Sequence, residues 1–275
     1  MTASVMPGSF AGKSVVITGA AGVYGAELSQ AFARAGAALF LSDRRKTELK
    51  SAADRLSDGG ASVSTHVTEL HDAASIADLV AAVATAWDAP DIVVNNAGIY
   101  PFGDLLDIDA AHWDAILDTN LRAPFLLMQG FSRLMIAERR AGAFVNVSSA
   151  AADILRLNDV PYCVSKRALE WLSRGFAMRL AQNGIRVNCV QAGLSLGSAL
   201  TEMPSEHVDE MARQNPMGRN AKPGDLAAAV MFLASEAASY ITGEVIGANG
   251  GGSVPCRQGM GFAPSGTMAP TGGQQ

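Results

Sequence analysis

The stretch SVVITGAAGVYGAEL, residues 14–28, decides the fold of this 275-residue chain. Its β-branched residues 15–18 are typical of a buried strand, and they run directly into a turn with glycines at Gly19, Gly22 and Gly25. A helical pattern follows. Such a turn brings backbone N–H groups and a helix N-terminus up to a pyrophosphate, which predicts a nucleotide-binding unit. For the motif alone, a purely conformational use of glycine remains an open alternative.

The remainder of the chain repeats this alternation of strand and helix. The predicted strands cover residues 14–19, 38–43, 61–67, 91–98, 143–149, 185–193 and 244–251. The predicted helices cover about 24–35, 45–57, 72–87, 110–138 and 161–182. Because crossover helices join successive strands, we predict an α/β fold with a doubly wound parallel sheet, the Rossmann architecture, of about seven strands. Residues 1–252 are predicted to form a single domain with a substrate loop at about 194–220, and residues 253–275 a C-terminal tail.

Composition excludes several classes of protein. With 49% hydrophobic and 17% charged residues the chain can bury a large core, which excludes a disordered or fibrous protein. A net charge of -5 without a basic stripe argues against nucleic-acid binding. Neither a membrane-spanning run nor a signal peptide is visible, so we expect a cytoplasmic protein. The three cysteines and four histidines lack metal-ligand spacing, and we expect no metal site.

An acidic residue ends the second predicted strand. Asp43 follows Gly19 by 24 residues, where a carboxylate can accept hydrogen bonds from both hydroxyl groups of an adenosine ribose. The same carboxylate would repel a 2'-phosphate, which favours NAD over NADP. Arg44 and Arg45 argue the other way, because a guanidinium beside the ribose can pair with a phosphate. We expect both arginines to face solvent or to stack on adenine.

Three further residues indicate proton chemistry. Tyr162 and Lys166 lie at i and i+4 near the start of a predicted helix, so their side chains leave the same face. A neighbouring cation is expected to lower the pKa of a tyrosine, which would let Tyr162 exchange a proton with a substrate hydroxyl. Ser149 ends the preceding strand and can orient the reacting oxygen. A Tyr-x-x-x-Lys pair alone also occurs as a surface contact, so the combination carries the prediction.

Together these residues resemble the short-chain dehydrogenase/reductase family over about residues 12–252. TGAAGVYG, NNAG at Asn95–Gly98 and the helix residue Asn120 are similar to further motifs of that family. The resemblance implies catalytic roles for Asn120, Ser149, Tyr162 and Lys166, with Asn120 connecting Lys166 to solvent through a water. Lys166 would also hold the nicotinamide ribose.

The resemblance implies two sets of binding residues. The cofactor set is Gly19, Gly22, Val23, Tyr24, Gly25, Asp43, Val67, Asn96, Ala97, Gly98, Tyr162, Lys166, Gly193 and Ser195. The substrate set is Ser149, Asp153, Ile154, Leu155, Tyr162 and Leu194. The chain departs from the family pattern at Val23, His66, Ala192, Gly197 and Asn249, and the consequence at Asn249 is left open.

These features predict an NAD-dependent oxidoreductase acting on a small-molecule alcohol or ketone. An NADPH-dependent ketoreductase, for example one acting on acyl thioesters, is the second candidate, and a non-catalytic NAD sensor is the third. Apolar residues on more than one face of the two long helices also predict a homo-oligomer, a tetramer or dimer. These residues are Phe125, Met128, Phe131, Leu169, Trp171 and Leu172. The alternative is that one face of the sheet buries all of them.

Overall fold

A computed structural model describes residues 9–195 and 205–254. The strands are β1 (Ser14–Thr18), β2 (Ala38–Asp43), β3 (Val63–Val67), β4 (Ile92–Asn95), β5 (Gly142–Ser149), β6 (Ile185–Ala192) and β7 (Val245–Ala248). The helices are α1 (Val23–Arg34), α2 (Lys46–Asp58), α3 (Ala73–Trp87), α4 (Ala110–Leu117), α5 (Ala123–Ala137), α6 (Val160–Leu180), α7 (Ser205–Gln214) and α8 (Asp225–Ala234). The strands form one parallel sheet in the order β3-β2-β1-β4-β5-β6-β7. The predicted doubly wound architecture is confirmed.

The sheet is covered on both faces, which explains the continuous apolar runs of its central strands. Along β1, Val15 and Ile17 point to the core that also contains residues of α1 and α8. Val16 points to the opposite core, where residues of α3 and α5 pack. Alternate residues of one strand therefore supply two cores, and a polar residue in either position would lose burial free energy.

The predicted helix at 110–138 is interrupted. A π-helical turn at Asp118–Arg122 separates α4 from α5, and it contains the buried side chain of Asn120. Such wider turns are frequent at functional sites. Within the predicted loop at 194–220 the structure describes α7, whereas residues 196–204 lie outside the described residues. Most of the predicted tail, residues 255–275, also lies outside them.

All of the central strands end at the same edge of the sheet. This edge therefore gathers Gly19 after β1, Asp43 of β2, Asn96 after β4, Ser149 of β5 and Gly193 after β6. Ligands of open parallel sheets bind at this carboxyl edge. Among the described residues, no helix combines the length and the apolar character that crossing a membrane requires.

Candidate active site

Two glycines at the junction of β1 and α1 have no room for a side chain. A Cβ atom at Gly25 would lie 2.0 Å from the carbonyl oxygen of Gly19, and one at Gly19 would lie 2.8 Å from the Cα of Ala97. Gly19 also has a φ of +64°, which favours glycine. The turn therefore presents bare backbone at the start of α1, as a pyrophosphate requires. This cradle fits the dinucleotide that the sequence predicts.

The segment after β4 holds this turn in place. The Asn96 side-chain amide donates hydrogen bonds to the carbonyl oxygens of Thr18 (2.9 Å) and Gly19 (3.2 Å). In return, the Thr18 hydroxyl accepts hydrogen bonds from the backbone N–H groups of Asn96 and Ala97, both at 3.2 Å. The predicted cofactor residues Asn96 and Ala97 thus support the shape of the glycine turn directly.

Asp43 lies beside the turn, and its carboxylate is occupied by protein donors. It accepts the backbone N–H of Ala21 at 3.0 Å and that of Arg45 at 3.0 Å. The Arg45 guanidinium adds contacts of 3.1 and 3.2 Å. Burial alone would raise the pKa of Asp43, but the hydrogen bonds from Arg45 and Ala21 hold it below its ordinary value. Arg45 is exposed to solvent, as expected, but its guanidinium also forms an ion pair with Asp43 that the sequence analysis did not predict.

Other predicted cofactor residues line the same edge. The Tyr24 hydroxyl donates to the carbonyl oxygen of Gly193 at 2.7 Å and also hydrogen-bonds the side chain of Ser195. These bonds connect the start of α1 to the segment after β6. Val23 and Val67 both have exposed side chains near this edge. Gly197, one of the departures from the family pattern, lies outside the described residues.

Tyr162, Lys166 and Ser149 come together as predicted. Tyr162 and Lys166 lie in the first two turns of α6, and the Lys166 Nζ is 5.7 Å from the centre of the Tyr162 ring. Ser149 ends β5 and hydrogen-bonds the Tyr162 hydroxyl. Lys166 is almost fully buried and donates to the carbonyl oxygen of Val147 at 2.9 Å.

Burial dominates the electrostatics of this group. It raises the pKa of Tyr162 to about 12, against the opposite effects of the Ser149 hydrogen bond and the charge of Arg156. The net shift of the Tyr162 pKa is thus upward, whereas the sequence analysis expected a lowered value. Burial also lowers the pKa of Lys166 to about 8, while Cys189 and Glu170 act to raise it. At neutral pH the phenol is protonated and the lysine is mostly charged.

Asn120 closes the site from the side of the π-helical turn. Its amide donates to the carbonyl oxygen of Ile99 at 2.8 Å and to the Ser165 hydroxyl at 3.1 Å, and its oxygen accepts the Ile99 N–H at 2.9 Å. A Cβ atom at Gly98 would lie 3.3 Å from both the Asn120 oxygen and the Lys166 Nζ. The NNAG motif therefore ends in glycine because an asparagine and a lysine converge on it.

A buried polar network behind the site escaped the sequence analysis. Glu170, one turn after Lys166, accepts hydrogen bonds from the Ser148 hydroxyl at 2.7 Å and the Gln191 amide at 3.0 Å. Gln191 also donates to Asp153 at 2.7 Å and accepts from Asn249 at 3.2 Å. An aspartate at position 249 would have no N–H group to donate to the Gln191 amide oxygen, which explains the asparagine. In the sequence, the i, i+4 spacing of Glu170 from Lys166 indicates that the two side chains share one face of α6.

Several of the predicted substrate residues are exposed or are already paired with other residues of the protein. Ile154 and Leu155 are exposed, Leu194 is partly exposed, and both carboxylate oxygens of Asp153 already accept protein hydrogen bonds from Gln191 and Arg167. The substrate roles of these residues stay predictions. Tyr100 packs edge-on against the Tyr162 ring with 5.9 Å between ring centres. No group of three or more potential metal ligands occurs among the described residues.

Comparison with known proteins identifies relatives along almost the whole chain. A family model described as enoyl-(acyl carrier protein) reductase matches residues 19–253. Galactitol 2-dehydrogenase (L-tagatose-forming) of Cereibacter sphaeroides is 36% identical over 248 residues, covering 88% of this chain and 96% of the relative. The 3-oxoacyl-[acyl-carrier-protein] reductase FabG of Thermotoga maritima is 34% identical over 241 residues, covering 87% and 97%. Among solved structures, a gluconate 5-dehydrogenase from Burkholderia cenocepacia in complex with NADP and tartrate superposes with a TM-score of 0.83. Its identity is 28%, with 90% of this chain and 97% of that chain covered.

Proposed function

Because the chain belongs to the short-chain dehydrogenase/reductase family, we propose that it is an NAD(H)-dependent oxidoreductase interconverting a secondary alcohol and a ketone. The observation that carries the proposal is the convergence of Ser149, Tyr162 and Lys166 at the edge where the glycine turn also lies. A non-catalytic NAD sensor has no need of this set, which disfavours that alternative.

Each of these residues has a role that follows from its surroundings. A bound nicotinamide supplies the hydride acceptor for alcohol oxidation and the hydride donor for ketone reduction. The Ser149 hydroxyl orients the substrate oxygen. Tyr162, protonated at neutral pH, donates a proton to that oxygen in reduction and must accept one in oxidation. We therefore expect oxidation to accelerate with rising pH. Lys166 would hold the ribose and favour the phenolate through its charge.

The choice of NAD rests on Asp43. Two like charges about 4 Å apart repel by about 4 kcal/mol at an effective dielectric near 20, before screening reduces this value. A 2'-phosphate beside Asp43 would meet such repulsion. Arg45 favours the second candidate, an NADPH-dependent ketoreductase, because its guanidinium already lies at this carboxylate and could turn to a phosphate. The two residues oppose each other, and we propose that the buried aspartate dominates.

The experiment that tests the function is a steady-state assay of the purified chain. Secondary alcohols are offered with NAD or NADP, and ketones and a 3-oxoacyl thioester with NADH or NADPH, following nicotinamide absorbance. We expect turnover of an alcohol with NAD. Turnover of the thioester with NADPH alone would favour the second candidate. Binding of NADH with no turnover of any substrate would contradict both and favour the sensor.

The homo-oligomer stays a prediction, and burial limits the residues that support it. Met128, Phe131 and Leu169 are buried within the single chain, so they give no support for an interface. Trp171 and Met178, however, are 72% and 85% exposed on α6, and Val164 completes a stripe with a spacing of seven residues. We propose that this stripe packs against a second copy.

Light scattering tests this proposed interface. The wild type should have the mass of a dimer or tetramer at micromolar concentration. Trp171→Glu should reduce the mass, whereas Tyr240→Glu, on an exposed residue outside the stripe, should not. A monomeric wild type would contradict the interface.

A further inference from the structure

Asp159 precedes α6 but does not cap this helix. An aspartate at such a position usually accepts a hydrogen bond from the second or third N–H of its helix. Here the second residue is Pro161, which has no N–H, and the Asp159 side chain makes no capping bond. Instead its carboxylate turns to Arg156, whose Nη2 lies 2.6 Å from Oδ2. The Asp159 carboxylate therefore pairs with a residue outside the helix that it precedes.

The Arg156–Asp159 ion pair has only one of its two possible hydrogen bonds. Of the two contacts that a guanidinium and a carboxylate can form side by side, one is present, and the Arg156 Nε and the Asp159 Oδ1 are buried without a partner. Five buried side-chain atoms in the described part of the chain lack a partner, and the His112 Nε2 is a third from this neighbourhood. His112 packs under Gly103, whose N–H donates to the carbonyl oxygen of Asn158 at 3.0 Å. Unpaired buried polar atoms cost free energy, so a water or a ligand group that pairs with them would be stabilised here.

The pair lies next to the reacting phenol. The Arg156 guanidinium carbon is 5.7 Å from the centre of the Tyr162 ring. The Asp159 carboxylate is close enough to oppose phenolate formation, because its charge raises the pKa of Tyr162. Arg156 is about one-third exposed, so its side chain can move to admit a ligand. A substrate group bound at this pair would therefore lie beside the Tyr162 ring.

The chemistry of the two free atoms favours a group that can both accept and donate a hydrogen bond. Nε is a donor and the carboxylate oxygen an acceptor, and a hydroxyl can accept from the first and donate to the second. A carboxylate or a thioester carbonyl can only accept, which leaves Oδ1 unpaired, and a carboxylate would also be repelled by Asp159. We propose that Arg156 and Asp159 form a subsite for a second hydroxyl of the substrate. The substrate class is then a vicinal diol or its hydroxy ketone, an inference that rests on the proposed alcohol oxidation.

Matched substrate pairs test this subsite. Values of kcat/KM are measured for cyclohexane-1,2-diol against cyclohexanol, and for 2-hydroxycyclohexanone against cyclohexanone. We expect the wild type to prefer the hydroxylated member by about 100-fold, since a site built to bind a hydroxyl rejects analogues without it. Arg156→Met and Asp159→Ala should each bring the ratio to within roughly threefold of one. Leu157→Ala, on a neighbour that is 84% exposed, is the control and should keep the wild-type ratio.

Two results would overturn the subsite: a wild-type ratio near one, or a preference that survives Arg156→Met. If Asp159→Ala or Arg156→Met does not fold, Arg156→Lys decides, because it keeps a positive charge beside the buried Asp159 while removing Nε. If no alcohol or ketone reacts, the proposed function fails separately. Calorimetric binding of the diol and of cyclohexanol to the protein with NADH then tests the subsite, and equal affinities would reject it.

Discussion

The two halves of the candidate site are built in different ways. The cofactor half, around the glycine turn, uses backbone atoms and a side chain such as Asn96 whose hydrogen bonds stay within the same edge. The substrate half, between residues 99–108 and 150–159, carries exposed apolar side chains and the half-made Arg156–Asp159 pair. In the first half, the Asn96 amide and the Asp43 carboxylate are both paired within the protein. The second contains polar atoms that lack a partner.

This difference reflects what each half binds. A pyrophosphate and a ribose are the same in every reaction of this kind, so backbone geometry can be fixed once. A substrate varies, and variable side chains on loops carry its recognition. The following predictions test how far the two halves act independently, beginning with the residue that lies where they meet.

Tyr162→Phe should separate chemistry from binding. The change removes the hydroxyl that exchanges the proton but keeps the ring against Tyr100, so kcat should fall by about 100-fold or more. The NADH dissociation constant, measured by fluorescence, should change little. Lys166→Ala should damage both quantities, because this lysine faces the phenol and the cofactor half. Near-normal turnover of Tyr162→Phe would contradict the catalytic assignment.

Gly25→Ala should break the cofactor half alone. The new Cβ would lie 2.0 Å from the Gly19 carbonyl oxygen, so the turn must move. We expect NADH affinity to fall by about tenfold or more and the free energy of unfolding to drop by about 1–3 kcal/mol, as overpacking does. Gly59→Ala after α2 is the control, since a Cβ atom there would lie 3.3 Å from the nearest atom and the residue is outside the proposed interface. Unchanged NADH affinity in Gly25→Ala would show that the cofactor does not use this turn.

Asp43 and Arg45 should control the choice of cofactor without touching the substrate half. Asp43→Ala removes the repulsion of a 2'-phosphate, and we expect the NAD to NADP ratio of kcat/KM to fall by about tenfold. Arg45→Ala frees the carboxylate for the ribose and should raise the ratio by about threefold. Arg44→Ala, on an exposed neighbour, should leave it unchanged. A wild-type preference for NADP would reverse our interpretation of this pair.

Glu170→Gln should have the smallest effect and should appear in the pH profile. Glu170 and Cys189 are the groups that raise the pKa of the buried Lys166, so removing one charge lowers that pKa further. The lysine then loses its proton at lower pH, and kcat for ketone reduction should begin to fall at a lower pH than in the wild type. We expect a loss of roughly two- to threefold at about pH 8 and little change at about pH 6.5. A uniform loss at every pH would indicate a purely structural role.

Much of the fold and the centre of the site followed from local sequence. The alternation of β-branched and helical segments predicted seven strands close to their observed bounds, because strand and helix periodicities are local properties. The spacing of Tyr162 and Lys166 predicted their shared face for the same reason. The glycine turn was also predictable, because a position without room for a Cβ atom requires glycine.

Tertiary structure alone decided which polar groups meet and which are buried. The sequence does not show that Glu27 of α1 accepts hydrogen bonds from Gly224 and Ala227 and so caps α8, about 200 residues away. Nor does it show that Arg45 turns back onto Asp43, that Glu170 connects to Gln191, or that burial raises the pKa of Tyr162. Hydrogen bonds and desolvation depend on the distances between elements remote in the chain, and only the packed fold sets those distances.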